Sequence, residues 1–206
     1  MGTLDDLPAP KSVRQGRPDE WRRIGKMLAD AFQDDPVWLW IAPNEARRVK
    51  YLEAMFSEVI RSRVIDGLSY TTDTYEGAAI WAEPNKWKMT ATENLRSAVP
   101  SIQTIGLGPL RRALKALTVI DRLHPKEPHW YLEFLAARVD QRGRGFGSAV
   151  LKPMLERCDF EVMPAYLESS KEENIPFYER WGFEVMSEFK LGEDSPSMWN
   201  MWRDPR

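Results

Sequence analysis

The sequence predicts an α/β fold in which a sheet is flanked by helices. Several segments carry apolar residues at every third or fourth position, which is typical of amphipathic helices. Short apolar runs bounded by glycine, proline or aspartate lie between those segments and are typical of buried strands. A glycine-rich turn joins one such run to a helix, between residues 142 and 148. Together these observations predict a single domain over residues 1–206.

The first part of the chain predicts an arm and two helices. Residues 1–16 mix proline, aspartate and lysine without a period and predict a loosely ordered arm. A helix is predicted over residues 18–32, and Asp34-Asp35-Pro36 ends it. Asn44 is expected to cap a second helix that ends at Asp66-Gly67. The buried face of that helix is expected to contain Val49, Leu52, Phe56, Val59 and Ile60.

A strand pair and a helical insert follow. Residues 68–72 and 78–82 predict two strands. Residues 85–128 predict a helical insert, with a glycine-proline break at 106–109. Its helices are expected near residues 92–99 and 110–122. The remaining elements are a strand at 130–137, a helix after the glycine turn, a strand at 164–168, a helix at 174–181 and an antiparallel pair at 183–190 and 198–202.

Composition excludes several classes of function. The formal net charge is -2, which disfavours general nucleic-acid binding. Cys158 is the only cysteine, so no disulfide can form within the chain and no cysteine-based metal site can close. We interpret Cys158 as a packed thiol. His124 and His129 are too few for an all-histidine metal site, and because they flank a proline-rich connector we expect them to be exposed.

The sequence also predicts where the protein works. Asp5 and Asp6 stand where a signal peptide would have its apolar core. The longest apolar windows fall short of the ~20 residues needed to span a bilayer. We therefore expect a cytoplasmic, metal-independent protein with no nucleic-acid or membrane partner. The oligomeric state is open, with a homodimer among the alternatives.

The glycine-rich turn, Gln141-Arg142-Gly143-Arg144-Gly145-Phe146-Gly147-Ser148, is the most informative motif. Its glycines let the backbone bend tightly and turn several N–H groups toward one anion. The following helix N-terminus and the two arginines add positive charge. A strand, a basic glycine turn and a helix in this order predict a pyrophosphate cradle. Other parts of the chain must indicate which ligand the cradle holds.

Three blocks of the second half resemble the GNAT superfamily of acyl-CoA-dependent N-acetyltransferases. The glycine turn is similar to the superfamily's pyrophosphate signature, which Arg142, Gly145 and Gly147 match. Leu167-Glu168-Ser169-Ser170, followed closely by Asn174, forms the second block. Residues 177–183 are similar to the Tyr-x-x-x-Gly-Phe block. The resemblance spans residues 130–185. The sequences of residues 125–128, 147–150 and 174–180 are most similar to the puromycin N-acetyltransferase branch.

The resemblance implies a fold and an activity. It implies a central mixed, mostly antiparallel sheet with splayed middle strands, flanked by helices, with the helical insert of residues 85–128 near the acceptor site. Acetyl-CoA would be the co-substrate, and its acetyl group would move to a primary amine of a small molecule by direct attack in a ternary complex. Two alternatives are acetylation of a protein or peptide amine and a non-catalytic acyl-CoA sensor. Nucleotide binding is disfavoured, because the glycines run Gly-x-Gly-x-Gly rather than Gly-x-Gly-x-x-Gly.

The resemblance also implies which residues bind acetyl-CoA. The pantetheine arm would lie along the splayed strand, hydrogen-bonded to the backbone of Leu135 and Ala137. Asn174 would hydrogen-bond the same arm, and its alternative role is a helix N-cap. The pyrophosphate would bind the backbone of Arg142, Gly143, Arg144, Gly145, Phe146, Gly147 and Ser148.

Candidate catalytic residues follow from the chemistry. Tyr178 would protonate the departing thiolate, since the pKa of a phenol, about 10, is somewhat higher than the pKa of a thiol. The alternative role of Tyr178 is that of a tyrosine packed in the core. Glu168, at the end of a strand facing the cofactor gap, is the favoured base. Glu133 is its rival, and the alternative for Glu133 is a salt bridge to an arginine. Candidate acceptor-binding residues are Asp34, Asp35, Trp38 and Trp40, whose alternative roles are a helix stop and a hydrophobic anchor.

Overall fold

The computed structural model describes residues 12–206, which form one sheet flanked by helices. The strands are β1 (Val13–Gln15), β2 (Ser69–Thr72), β3 (Gly77–Ala82), β4 (Trp130–Ala137), β5 (Ala165–Ser169), β6 (Glu184–Lys190) and β7 (Ser197–Arg203). The helices are α1 (Trp21–Phe32), α2 (Pro36–Ile41), α3 (Glu45–Ile65), α4 (Ala91–Ile105), α5 (Leu110–Leu123), α6 (Phe146–Phe160) and α7 (Ile175–Arg180).

The seven strands lie in the order β1-β2-β3-β4-β5-β7-β6. Neighbouring strands are antiparallel except β4 and β5, which are parallel. The predicted fold class, a mixed and mostly antiparallel sheet flanked by helices, is therefore confirmed.

The two parallel strands separate soon after they begin. Their pairing is limited to Trp130 with Ala165 and Tyr131 with Tyr166. Strand β4 nevertheless stays paired with β3 up to the contact between Ala137 and Gly77. The C-terminal half of β4 thus has one edge that no strand of residues 12–206 covers. This splay lies at the centre of the sheet, where the candidate site is built.

Apolar side chains cover both faces of the sheet. On one face α6 packs Val150, Leu151 and Met154 into a cluster that includes Trp81 of β3. On the other face α1 and α3 form a second cluster that includes Ile80 of β3. Successive residues of β3 point to opposite faces, so a strand buried on both sides is apolar throughout. The sheet is consequently fixed from both sides around the splay.

The described residues add a strand and a helix to the predicted elements and correct one predicted burial. Residues 1–11 of the predicted arm lie outside the described part, but Val13–Gln15 is strand β1 and pairs with β2. Residues 36–41 are helix α2, because Asp35 accepts hydrogen bonds from the N–H groups of Val37 and Trp38 and so caps the helix. Val49 is 68% exposed, so its predicted burial on α3 is wrong.

The insert between β3 and β4 contains the two helices that the sequence predicts. Helix α4 is longer than predicted, since Thr90 and Glu93 form a capping box and the helix continues through Pro100. No helix within residues 12–206 combines the length and the apolar character that a bilayer crossing requires.

Candidate active site

The glycine turn forms an open corner between β4 and α6. Gly143 and Gly145 have φ values of 75° and 78°, in the left-handed region that favours glycine. A Cβ atom placed on either glycine would meet no heavy atom within 4 Å. Gly147 and Ser148 lie in the first turn of α6, whose N–H groups cannot be satisfied within the helix. The corner therefore offers backbone donors beside open space, which suits an anion.

Two contacts fix the position of this corner. The Arg142 Nη2 atom donates a hydrogen bond of 2.9 Å to the carbonyl oxygen of Ala31, in the last turn of α1. A Cβ atom on Gly77 would lie 3.2 Å from the carbonyl oxygen of Phe146, so glycine at this place lets the start of α6 lie against β3. The Arg144 Nη1 atom donates to Gln141 Oε1 within the turn. The Arg142 guanidinium thus joins the corner to α1.

The uncovered edge of β4 continues from this corner. The Arg138 N–H donates to the carbonyl oxygen of Glu76, 2.8 Å away, so the backbone of Arg138 faces β3. Backbone groups of successive residues in a strand face opposite edges. The backbone groups of Leu135 and Ala137 therefore face the splay.

A bulge in β4 produces this orientation. Ile80 pairs with Phe134 and Trp81 pairs with Leu132, which leaves Glu133 as an extra residue. Before the bulge, the Trp130 N–H donates to Pro164 and so faces β5. Without the extra residue, the alternation from Trp130 would turn the odd-numbered residues toward β3. The bulge is thus what directs Leu135 and Ala137 to the splay.

Asn174 ends a short 3-10 turn before α7. Its backbone is helical, with φ of -85° and ψ of -16°, and its side chain makes no capping hydrogen bond to α7. The alternative role of helix N-cap is therefore not the one that this structure forms. The amide side chain is left for other contacts.

Tyr178 lies on α7 with its ring packed between two phenylalanines. The ring centroids of Phe177 and Phe183 are 5.2 and 5.9 Å away. The residue belongs to the same packed cluster as Leu135 of β4. Burial, with a smaller contribution from the charge of Asp35, raises the pKa of Tyr178 above its usual value. The hydroxyl therefore keeps its proton at neutral pH and can donate it.

Glu168 lies near the end of β5 with its side chain 5% exposed. Its Oε2 atom accepts a hydrogen bond of 2.6 Å from the Tyr131 hydroxyl. Its Oε1 atom lies 3.7 Å from Nδ1 of His124. Burial, and then the charge of Glu168, raise the pKa of Tyr131 well above its usual value, so Tyr131 stays a donor.

The two histidines are buried, so the prediction that they are exposed is wrong. His124 is 6% exposed and His129 is 4% exposed. The ring of Trp87 stacks on His124 with centroids 3.9 Å apart, and Trp202 lies edge-on to His129. Trp87 and Trp202 come from distant parts of the chain, and no local pattern around the histidines indicates them.

Glu133 forms the salt bridge that was its alternative role. Its Oε1 atom lies 2.9 Å from Nη2 of Arg63, on α3, and Arg63 Nε also donates to the carboxylate. Arg63 Nη2 donates further to the carbonyl oxygens of Lys86 and Trp87. Burial raises the pKa of Glu133, while Arg63 acts in the opposite direction. This network connects the bulge of β4 to α3 and to the segment before α4.

A cleft of about 650 Å³ opens at the C-terminal end of β5. Asp34, Pro36 and Trp199 belong to its lining, together with Ser170, Lys171, Glu172, Glu173, Pro196 and Ser197. Sequence reasoning missed Trp199, which pairs with Ser169 across β5 and β7. Carboxylates beside a large aromatic ring suit a cationic amine with an apolar body.

The four predicted acceptor-binding residues separate in the structure. Asp34 lines the cleft. Asp35 caps α2, and its second oxygen accepts a hydrogen bond of 2.5 Å from Ser170. Trp38 packs on Phe56, as a hydrophobic anchor. Trp40 lies in a second cleft, with Arg112 over its ring. Within residues 12–206, no group of three or more His, Cys, Asp or Glu side chains is arranged to hold a metal ion.

Comparisons with known proteins agree with this geometry. Residues 105–183 match the model of the acetyltransferase (GNAT) family. An uncharacterised N-acetyltransferase of Schizosaccharomyces pombe is 28% identical over 186 residues, which cover 85% of this chain and 75% of that protein. The family match and this relative support a GNAT superfamily acetyltransferase, and the puromycin N-acetyltransferase branch is not confirmed.

Solved structures share the fold. A structure described as histone acetyltransferase HPA2 and related acetyltransferase, from Corynebacterium glutamicum, has a TM-score of 0.72 and 24% identity, and the match covers 96% of this chain and 97% of that one. The polyamine N-acetyltransferase of Drosophila melanogaster, described as forming N-acetylagmatine, has a TM-score of 0.61 and 12% identity, with coverage of 94% and 99%. At these identities the likeness concerns the fold.

Proposed function

We propose that this chain transfers the acetyl group of acetyl-CoA to a primary amine of a small molecule by direct attack in a ternary complex. The family match and the Schizosaccharomyces pombe relative support a GNAT superfamily acetyltransferase. The observation that carries the proposal is the uncovered edge of β4, which runs into the glycine corner at one end and lies beside β5 with Glu168. Because the co-substrate would be acetyl-CoA, we propose that the reaction takes place in the cytoplasm.

The corner and the edge fit the two parts of coenzyme A. The open space beside Gly143 and Gly145 would take the pyrophosphate, with backbone N–H groups of residues 142–148 as donors. The amides of the pantetheine arm would pair with the backbone of Leu135 and Ala137 like an added strand. Asn174, whose side chain makes no cap, would donate to the same arm. One backbone N–H on the edge would polarise the thioester oxygen.

The reaction requires three proton transfers at neutral pH. The acceptor arrives as an ammonium ion, which cannot attack, so Glu168 takes one proton from its nitrogen. The neutral nitrogen then attacks the thioester carbon, and the carbon–sulfur bond breaks as the amide forms. The departing thiolate takes a proton from the Tyr178 hydroxyl, and the resulting phenolate takes the second proton that the nitrogen loses as the neutral amide forms. Tyr178 can supply this proton because burial raises its pKa, so its hydroxyl is protonated at neutral pH.

The cleft at the end of β5 favours a small amine as the acceptor. Asp34, Glu172 and Glu173 bring negative charge to its lining, and Trp199 brings an aromatic face. A di-cationic amine or an amine with an aromatic body would match this combination. The N-acetylagmatine-forming enzyme of Drosophila melanogaster shares the fold, which makes agmatine a sensible first substrate. Puromycin belongs in the same panel because of the resemblance at residues 174–180.

A thiol-release assay tests the proposal. The protein is mixed with acetyl-CoA and one amine at a time: agmatine, spermidine, tyramine, puromycin and a short peptide with a free N-terminus. Free coenzyme A is read with a thiol reagent at pH 8. Burial raises the pKa of the Cys158 thiol to about 12, so the protein's own cysteine does not react.

We expect thiol release with at least one small amine and none without an amine. Release with the peptide alone would contradict the small-molecule acceptor and favour a protein acetyltransferase. Tight binding of acetyl-CoA without release from any amine would contradict catalysis and favour an acyl-CoA sensor.

A further inference from the structure

The buried histidines form a hydrogen-bonded pair directed at Glu168. The Nε2 atoms of His124 and His129 lie 3.0 Å apart. The Nδ1 atom of His129 lies 2.6 Å from the backbone carbonyl oxygen of Glu127. At the other end, Nδ1 of His124 lies 3.7 Å from Oε1 of Glu168. The four groups thus make one line from the exposed Glu127 to the carboxylate.

These contacts determine where the hydrogens are. A carbonyl oxygen only accepts, so Nδ1 of His129 carries a hydrogen. Burial lowers the pKa of His129, which keeps that ring neutral, and its Nε2 atom is then a bare acceptor. The hydrogen between the two rings must accordingly belong to Nε2 of His124. When His124 is neutral, its Nδ1 atom is bare and faces Glu168.

No hydrogen lies between the facing atoms of His124 and Glu168 when His124 is neutral and Glu168 is ionised. Nδ1 of His124 and Oε1 of Glu168 are both buried, and neither has a hydrogen-bond partner within residues 12–206. Two facing lone pairs of buried atoms are unfavourable, because each has lost water and gained no donor. A single added proton would join them. The contact is therefore a place where one proton can be held.

The surroundings keep this contact dry and aligned. Trp87 stacks on His124, and the Tyr166 ring lies edge-to-face with the same imidazole, with ring centroids 5.0 Å apart. The Tyr166 hydroxyl donates to Asn200 on β7, so it does not compete for the histidines. The other ionisable groups nearby are already paired: Tyr131 donates to Glu168, and Glu133 is bound by Arg63.

We propose that His124, held by His129 and Trp87, is a positioning residue that shares the proton which Glu168 takes from the amine. This inference rests on the proposed function, in which Glu168 is the base. The proton leaves the ammonium nitrogen, binds Oε1 of Glu168 and is shared with Nδ1 of His124. The resulting imidazolium keeps its Nε2–H bond to His129, and its charge is balanced by the carboxylate. No other bond changes.

Nuclear magnetic resonance tests the proton positions without any substrate. The chain contains only two histidines, so long-range ¹H–¹⁵N correlations of histidine-labelled protein are simple to assign. At pH 8 we expect the Nδ1–H tautomer for His129 and the Nε2–H tautomer for His124. On acidification, the first imidazole nitrogen to gain a proton should be Nδ1 of His124. The Nδ1–H tautomer of neutral His124, or earlier protonation of His129, would overturn the proposal.

A variant series tests the effect on the reaction. His124→Phe keeps a ring against Trp87 and removes both nitrogens, so we expect kcat to fall roughly tenfold, less than for loss of the base itself. Acetyl-CoA affinity should not change, and the acidic side of the pH profile of kcat/KM should move. The control is Glu127→Ala, which removes an exposed side chain and keeps the carbonyl that binds His129.

The outcomes separate the two proposals. A folded His124→Phe variant with wild-type kcat and an unchanged pH profile would overturn the role of His124 while leaving the acetyltransferase intact. If no amine in the panel releases thiol, the proposed function fails, and the tautomer measurement still decides whether the proton-holding contact exists. The same measurement decides if His124→Phe does not fold.

Discussion

The guanidinium of Arg142 donates to the backbone carbonyl of Ala31, 2.9 Å away, and so connects the glycine corner to the end of α1. Helix α1 leads directly into Asp34, which lines the cleft at the end of β5, and Asp35, which caps α2. One hydrogen bond therefore links the cradle proposed for coenzyme A to the loop proposed for the amine.

Gly145→Glu should abolish binding of coenzyme A. The new side chain would project into the open space of the corner, where its charge repels the pyrophosphate. The left-handed φ at this position adds strain of about 1 kcal/mol, which the fold should tolerate. The control is Gly108→Glu, whose Cβ also meets nothing within 4 Å but whose φ is not positive. Isothermal titration with coenzyme A should show loss of binding for the first variant only; normal affinity in Gly145→Glu would refute the cradle.

Tyr178→Phe should lower kcat about 100-fold and leave acetyl-CoA affinity unchanged. The phenylalanine ring keeps the packing against Phe177 and Phe183, so only the hydroxyl is lost. Stopped assays of thiol release, combined with titration of coenzyme A, separate the two quantities. A variant that turns over at the wild-type rate would remove Tyr178 from the mechanism.

Glu168→Gln and Glu133→Gln should behave differently. Loss of the base in Glu168→Gln should lower kcat/KM by about 100-fold or more in a folded protein. Glu133→Gln leaves Arg63 without its carboxylate, so the free energy of unfolding should fall by roughly 3 kcal/mol. Urea denaturation and thiol release measure both effects. A stable, inactive Glu133→Gln beside an active Glu168→Gln would exchange the two roles.

The Arg14–Glu20 pair predicts how stability depends on pH. The Arg14 guanidinium, helped by the Arg17 N–H and the Tyr75 hydroxyl, lowers the pKa of Glu20 from 4.5 to about 2. A carboxyl whose pKa is lowered on folding stabilises the protein above its usual pKa, and that stability is lost as pH falls through its folded value. Unfolding free energy should therefore decline between about pH 4.5 and pH 2.

Glu20→Gln isolates this effect. We expect it to cost about 2 kcal/mol at pH 7 and to flatten the acidic decline. The control is Asp30→Asn, because Asp30 pairs with Lys26 on the exposed face of α1 and such pairs contribute about 0.5 kcal/mol or less. Urea titrations at a series of pH values provide the measurement. An equal acidic decline in wild type and Glu20→Gln would show that another group is responsible.

Local patterns predicted most of the fold. Patterns within a few residues identify the apolar face of α3, the apolar run of β4 and the glycine corner. The type and the order of these elements were therefore predictable. The splay followed from resemblance, and the pairing of β4 with β5 bears it out. The orientation of Leu135 and Ala137 depends on the bulge at Glu133, which no pattern within β4 indicates.

Contacts between distant segments were not predictable. The proline-rich connector predicts that His124 is exposed, yet Trp87 stacks on it from the segment before α4. Arg63 reaches Glu133 across 70 positions, so the sequence could propose a salt bridge but could not choose the arginine. Asp35 was a candidate for the acceptor, and its two oxygens are instead bound by the α2 backbone and by Ser170. Each of these depends on which elements pack together.

The most direct test of the central claim is a crystal structure of the protein grown with coenzyme A. We predict the diphosphate against the backbone N–H groups of residues 142–148 and the pantetheine arm along the uncovered edge of β4, within hydrogen-bond distance of Leu135 and Ala137. Coenzyme A bound elsewhere, or a corner that stays empty at a saturating concentration, would contradict the account.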